Sequence, residues 1–256
     1  MGVLQWAVWL LLLNSLMHPS TAGEHIQKVG EHIQKIDMML EEEEMAIIFL
    51  PLSDGEATVF KHANGKTVLL NTGGPHTEHE LKRWFDQFHI TTVNELILTS
   101  DDEQYIGNVA WIEKTYKPKI INQWNEQKVY EPFPHFRMQP LYIAHGDVTM
   151  SLQYGRLRLL YMAHIGNDIE QKLMTMSLGD VNILKIAHFG LTDYPRTSFL
   201  KHVDPQVAII FKKRGSLPNE RLLKRLYAAW IDCYETERFD VIVVKCNLEE
   251  YDVMTF

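Results

Sequence analysis

Cysteine is nearly absent: Cys233 and Cys246 are the only two in 256 residues. This excludes a disulfide framework. With no C-x-x-C and no His/Cys cluster, a structural zinc site has no support either. In an exported chain the two either pair or stand as separate buried thiols, and their spacing leaves both open. Basic tracts are missing too. Lys and Arg number 25 against 33 Asp and Glu, a net charge of −8, which argues against binding nucleic acid through a broad positive face while leaving room for a small local groove. There is no G-x-S-x-G nucleophile turn and no glycine-rich phosphate loop. The N-terminal apolar stretch, Val3 to Met17, falls short of the roughly 20 residues that a membrane helix needs.

What is present is ordinary globular material. Hydrophobic residues make up 46% and charged residues 23% of the chain, enough for one large domain with a sizeable core. The Val3–Met17 stretch carries no charge, is broken by His18-Pro19 and is followed by the small residues Ser20-Thr21-Ala22. That is the pattern of a secretory signal peptide over residues 1–22, or, because no Lys or Arg precedes it, of an uncleaved N-terminal anchor. The chain is therefore expected to be secreted or membrane-anchored through this segment. Gly23–Val29 (GEHIQKV) is repeated almost unchanged as Gly30–Ile36 (GEHIQKI). Ile26, Val29, Ile33 and Ile36 fall at helical spacing with a narrow seam, which reads as a tether or as a docking element for self-association or a partner. The acidic run Glu41–Glu44 ends this linker, residues 23–44, and the folded domain is placed at residues 45–256.

From Met45 the rhythm is that of strands: Met45–Leu52, Ala57–His62 and Thr67–Asn71, with Asn64-Gly65 as a hairpin turn. A helix over His79–Phe88 follows, with Leu81, Trp84, Phe85 and Phe88 on one face. Then comes Leu96-Ile97-Leu98-Thr99-Ser100-Asp101-Asp102-Glu103, a buried strand that turns sharply into a second helix carrying Ile106, Val109, Ile112 and Tyr116. Lys119–Ile121 is a short strand. Asn122–His145, rich in proline and aromatics, reads as a surface connection covering a cleft or an edge. The second half repeats the theme: a hairpin over Val148–Tyr154 and Arg156–Met162, a helix over Asp168–Ser177, a strand over Val181–Ile186 and a short helix at Ser198–Lys201. It ends with a strand over Val207–Phe211, an amphipathic helix over Asn219–Trp230, and closing strands at Ile231–Tyr234 and Val241–Val244. Hairpins and helices in each half predict a four-layer αββα sandwich of the α/β class.

The order of motifs resembles the metallo-β-lactamase fold, and in particular the soluble domain of ComEC-type DNA-uptake proteins and their stand-alone relatives. The resemblance runs from about Leu50 to Val244. Leu50–Ala57 lies over the family's "L-D-V-G-Q-G-D-A", Gly65–Gly74 over "G-K-T-I-L-I-D-T-G-G", and the turn after Leu98 over "H-P-H-A-D-H-I-G-G". Leu160–Leu173 lies over "L-L-T-G-D-I", with Glu170 at a later acid, and Leu184–Gly190 over "L-K-V-x-H-H-G-S". Val203–Ile210 lies over "V-x-P-x-x-A-I-I", and Tyr234–Thr236 with Phe239–Val244 over the terminal "Y-x-T" hairpin.

The resemblance implies a two-metal hydrolase, but the positions of its ligands read otherwise here. The family's His, His, Asp and His are Ser100, Asp102, Gln104 and Tyr105. Its strand-end Asp is Asn71, its "G-D" acid is His164, the second of its paired His is Phe189 after His188, and a late His is Leu217. A hydroxyl, an amide and a neutral phenol are poor ligands for Zn²⁺, which wants imidazole nitrogens and carboxylate oxygens at about 2.0–2.2 Å. The sequence thus predicts a pseudoenzyme with no catalytic residue, no metal and no cofactor, in a binding or scaffolding role for an unknown protein or ligand at the cell envelope. Nucleic acid enters only by analogy with the relatives. Two alternatives stand beside it. One is a phosphodiesterase or nuclease with a single divalent metal on the residual candidates Asp102, His164 and His188. The other is a structural partner protein docking through residues 23–36. The acids Asp101, Asp102 and Glu103 have a simpler reading as complements to a helix N-terminus, about 0.3–1 kcal/mol each.

Overall fold

A computed structural model describes residue 36 and residues 38–124, 128–239 and 241–256. The Val3–Met17 run and the duplicated heptads, apart from Ile36, lie outside the described residues. Among the described residues no helix is long and apolar enough to cross a membrane.

Two seven-stranded sheets face each other. The first runs β14-β13-β1-β2-β3-β4-β5 and the second β12-β11-β10-β9-β8-β7-β6. In sheet one β1 (Met45–Phe49), β2 (Thr58–His62) and β3 (Thr67–Leu70) form an antiparallel meander. β4 (Glu95–Ile97) and β5 (Lys119–Ile121) then add in parallel. Sheet two repeats the plan. β6 (Tyr130–Phe133), β7 (Phe136–Ala144), β8 (Asp147–Tyr154) and β9 (Leu157–Tyr161) are antiparallel, and β10 (Ile183–Lys185), β11 (Val207–Ile210) and β12 (Asp232–Glu235) follow in parallel. β13 (Ile242–Cys246) then crosses back to pair with β1, and β14 (Tyr251–Thr255) closes that edge.

The two-residue period of a strand explains the layers. In β1, Met45, Ile47 and Phe49 point between the sheets, where they join Phe60, Leu70, Met150, Leu152, Leu159 and Ile209. Ala46 and Ile48 point outward, onto α1 (Glu78–Gln87) and α3 (Val109–Tyr116), through Leu81, Trp84, Phe85 and Ile112. Ile36, Met38 and Leu40 pack against the same layer. On the far side Leu160, Leu184, Ala208 and Ile210 meet α4 (Asn167–Met174), α5 (Thr197–Val203) and α6 (Glu220–Ala228) through Ile169, Leu173, Phe199, Leu222 and Leu226. The four-layer αββα sandwich expected from the sequence is the one observed.

Three elements differ from expectation. Residues 122–145 are not a surface connection throughout: they carry β6 and β7, the outer hairpin of sheet two. Pro132 sits on the edge strand and Pro140 beside a register shift, the two places where a sheet accepts proline. The helix expected through Ile106 and Val109 is split into α2 (Glu103–Ile106) and α3. A Cβ on Gly107 would lie 2.4 Å from the Gly74 backbone, so the chain turns where the two loops touch. β14 was not expected at all. The two cysteines are both free and lie in different sheets, Cys233 in β12 and Cys246 in β13. Burial pushes each thiol up to about 12, so neither is a reactive thiolate at neutral pH.

Candidate functional site

In α/β sheets, chemistry collects where strands end at their carboxyl edge. Here that edge gathers the loops after β3, β4, β9 and β10 and the turn before β8. The loop after β3 is held by Asn108, whose side-chain amide donates to the Thr72 carbonyl (2.7 Å), the Gly74 carbonyl (3.2 Å) and the Thr77 hydroxyl (2.9 Å). Gly55 permits the close approach of the β1–β2 loop, since a Cβ there would sit 2.2 Å from the Gln104 carbonyl oxygen.

The centre of the site is Asp147, which the sequence did not single out. Its Oδ1 accepts a hydrogen bond from Ser100 Oγ (2.7 Å), which ties the two halves together. Its Oδ2 lies 3.5 Å from His164 Nδ1 and 3.6 Å from His188 Nε2. Burial pushes the Asp147 carboxyl up, but His188, the Ser100 hydroxyl and His164 outweigh it, and the group titrates below the usual carboxylate range. His164 is further fixed by its neighbours. Its Nε2 lies 3.9 Å from Asp168 Oδ2, Tyr142 stacks on its ring at 5.6 Å, and the His145 ring stands 5.5 Å away. Tyr142 OH in turn donates to Asp168.

Of the three residual metal candidates, two meet. His164 and His188 share Asp147, whereas Asp102 is the exposed N-cap residue of α2, with its backbone N–H on Ser100 Oγ (3.2 Å). Among the described residues no group of three or more His, Cys, Asp or Glu side chains forms a cluster able to hold a metal ion. Glu170, at the later acid of the motif, is buried and accepts the Arg196 backbone N–H (2.7 Å). Its role is to anchor the start of α5.

Directly beneath lies a buried polar nest between the sheets. Lys185 pairs with Glu56 across the sandwich and donates to the Met162 carbonyl (2.8 Å). Both side chains are fully buried, and burial pushes Glu56 up and Lys185 down. The ammonium faces the rings of Tyr161 (4.3 Å), Tyr105 (5.7 Å) and Phe211 (6.0 Å). Tyr161 OH donates to Glu56 (3.0 Å). Asn71 is committed to its surroundings: Nδ2 donates to Thr99 Oγ1 (2.8 Å) and Oδ1 accepts the Thr99 backbone N–H (3.0 Å).

Two further positions that the resemblance aligns with metal ligands are aromatic and inward. Tyr105 and Phe189 are both buried in the intersheet core, with ring centroids 5.9 Å apart. Phe189 reaches this place because it and His188 both adopt left-handed backbone angles, φ 58 and 47. That conformation costs a residue with a Cβ on the order of 1–3 kcal/mol. The pair of turns sends Phe189 into the core and His188, 41% exposed, out to Asp147. A Zn²⁺ pair does not fit the aligned positions: at Asn71, Ser100, Tyr105 and Phe189 a hydrogen-bonded amide, a hydroxyl donating to a carboxylate and two packed aromatic rings offer no converging basic lone pairs, which leaves His164, His188 and Asp147 as the basic donors that meet.

Asp147 also sets an acid limit on stability. A carboxyl depressed in the folded state contributes stability that is complete above its unfolded pKa, about 3.9, and is lost as pH falls through the folded value. Urea midpoints of the wild type and Asp147→Asn are expected to differ at pH 5 and above, to begin to approach below about pH 4, and to meet only once pH has fallen through the depressed folded value. A constant gap down to the acid limb would contradict the assignment.

No protein-family profile matches the chain, and no curated protein sequence is similar to it. Solved structures match it in fold. The metallo-β-lactamase fold protein YhfI from Bacillus subtilis gives a TM-score of 0.56 at 10% identity, covering 82% of this chain and 100% of its own. Igni18, a metallo hydrolase from the archaeon Ignicoccus hospitalis KIN4/I, gives 0.56 at 10% identity over 82% and 99%. A diphosphatase from the PhnP family gives 0.53 at 12% identity over 80% and 98%.

Proposed function

The chain has the metallo-β-lactamase fold, and from that premise we propose that it is a pseudoenzyme: a binding or scaffolding protein built on a metallohydrolase framework without the hydrolytic metal pair. The observation that supports this reading is the Tyr105–Phe189 contact at 5.9 Å, which fills two aligned ligand positions with core packing. The hydrogen-bonded Asn71 supports it at a third. The proposal places the protein at the cell envelope, secreted or tethered by the Val3–Met17 run, with a protein or small ligand as its partner. A link to DNA uptake rests on analogy with ComEC-type proteins, and fold by itself does not carry function.

One observation favours a second reading. His164 and His188 converge on a single carboxylate oxygen at 3.5 and 3.6 Å, which brings two imidazoles and a carboxylate, the donor types of a single-metal hydrolase site, to one place. Metal analysis of the purified chain separates the two. The pseudoenzyme reading expects far less than one equivalent of zinc or manganese per chain, and no phosphodiester hydrolysis that a chelator abolishes and added cation restores. Near-stoichiometric metal that His188→Ala removes would sink it.

A further inference from the structure

The outer face of α6 carries a feature that packing does not explain. Tyr227, Ala228, Ala229 and Trp230 form four consecutive exposed residues at its C-terminal end, with Trp230 92% and Tyr227 85% exposed. Such a run on a folded domain is a fault unless it meets something. Trp230 also holds a left-handed backbone, φ 59, at the helix-terminating position where glycine is usual. A bulky side chain there is strained, and its ring rests on nothing in the fold that would offset the strain. The helix is otherwise well anchored: Asn219 caps its start by accepting from the Arg221 and Leu222 backbone N–H groups (2.9 and 3.3 Å), and Leu222 and Leu226 are fully buried.

We propose that this end of α6 docks on an anionic lipid surface, with Trp230 and Tyr227 entering the headgroup layer and Arg221 and Lys224 on the phosphates. The exposed face supplies the right chemistry. Amphipathic aromatics prefer the membrane interface, and Arg221 and Lys224 lie on the same exposed side of the helix. The exposed acids nearby are Glu220, 3.5 Å from Lys224, and Asp232, two residues beyond Trp230. Area argues against a protein occupant. Two aromatic side chains offer about 150–250 Å² each, below the roughly 800 Å² per partner of a stable protein interface. A bilayer asks for no matching shape and adds to another anchor. The proposal therefore rests on the reading of Val3–Met17 as a membrane anchor.

The test uses the full chain with Ala228→Cys, labelled with an environment-sensitive nitrobenzoxadiazole dye. Cys233→Ala and Cys246→Ala in the same chain leave the introduced thiol as the labelling site, since Cys233 is only half-buried. With phosphatidylglycerol/phosphatidylcholine vesicles the protein is expected to float, and the dye to brighten several-fold and shift to the blue. Trp230→Ser/Tyr227→Ser is expected to float still while the dye stays dim. Arg221→Glu/Lys224→Glu is expected to lose the signal on anionic vesicles. A wild-type chain that floats with a dim dye overturns the docking while leaving the anchor reading intact, and a chain that does not float overturns both. Brightening without vesicles that grows with protein concentration identifies a second copy as the occupant and overturns the lipid assignment.

Discussion

Lys185→Met is expected to be among the most damaging single substitutions in this chain. Its ammonium is fully buried, pairs with Glu56 from the β1–β2 loop of the opposite layer and donates to the Met162 carbonyl. Removing it leaves a carboxylate in the intersheet layer with, among the described residues, only Tyr161 OH donating to it, and its other oxygen, Oε1, already has no hydrogen-bond partner among them. Breaking a buried ion pair on one side costs about 3–5 kcal/mol, whereas replacing both partners with well-packed apolar groups is often neutral or stabilising. For a domain of this size each kcal/mol moves the melting temperature by roughly 2–4 °C. Lys185→Met should therefore melt roughly 6–20 °C below the wild type, and Glu56→Leu/Lys185→Met should recover most of that loss. The comparison isolates the pair: the single variant tests an uncompensated charge and the double variant tests the shape of the layer. If Lys185→Met melts with the wild type, the two sheets are not joined here and the nest beneath the site is incidental.

The sequence did not show this pair. Leu184-Lys185-Ile186 is a lysine inside an apolar strand, and its burial creates the demand for a carboxylate across the layer. Neither that burial nor the identity of Glu56, 129 positions earlier, is local information, because both depend on how the sheets stack. The same limit explains Asp147. It is the first residue of β8, directly after the His145-Gly146 turn, where an acid is ordinary, and nothing local says that Ser100 will donate to it from the other half of the chain. Asp102 was singled out in its place because it is the one carboxylate among the positions aligned with the motif's turn, yet its position at the start of α2 is the reason it points to water. Periodic elements were read well, since β1 to β5 and α1 each carry their own alternation or helical stripe. β6 and β7 were missed because proline weakens the strand signal while the edge position and the register shift that admit it are properties of the assembled sheet.

Substitutions at Tyr105 separate a filled site from a disabled one. Tyr105 is 2% exposed, lies 5.9 Å from the Phe189 ring and carries a hydroxyl with no hydrogen-bond partner among the described residues. Burial, with Glu56 next, holds that phenol well above its ordinary pKa, so it stays neutral. If the ring is there to pack, Tyr105→Phe removes only an unpaired polar group and should be neutral or stabilising by about 1 kcal/mol. Tyr105→Ala removes an aromatic ring from the core and should cost about 3–5 kcal/mol. Tyr105→His introduces the residue type that the metallohydrolase motif carries at the aligned position, but sets a smaller polar ring against Phe189. It should lose about 1–3 kcal/mol for an unsatisfied buried nitrogen. Zinc then decides between the readings, because a ligand at a hundred times its Kd stabilises the folded state by about 2.7 kcal/mol. With Asn71, Ser100, Gln104 and Phe189 unchanged, one imidazole does not restore a donor set, so neither the wild type nor Tyr105→His should gain stability from zinc. A rise of several degrees in the wild type on adding zinc, lost in His164→Ala, would mean that the aromatic pair stands beside a working metal site rather than in place of one.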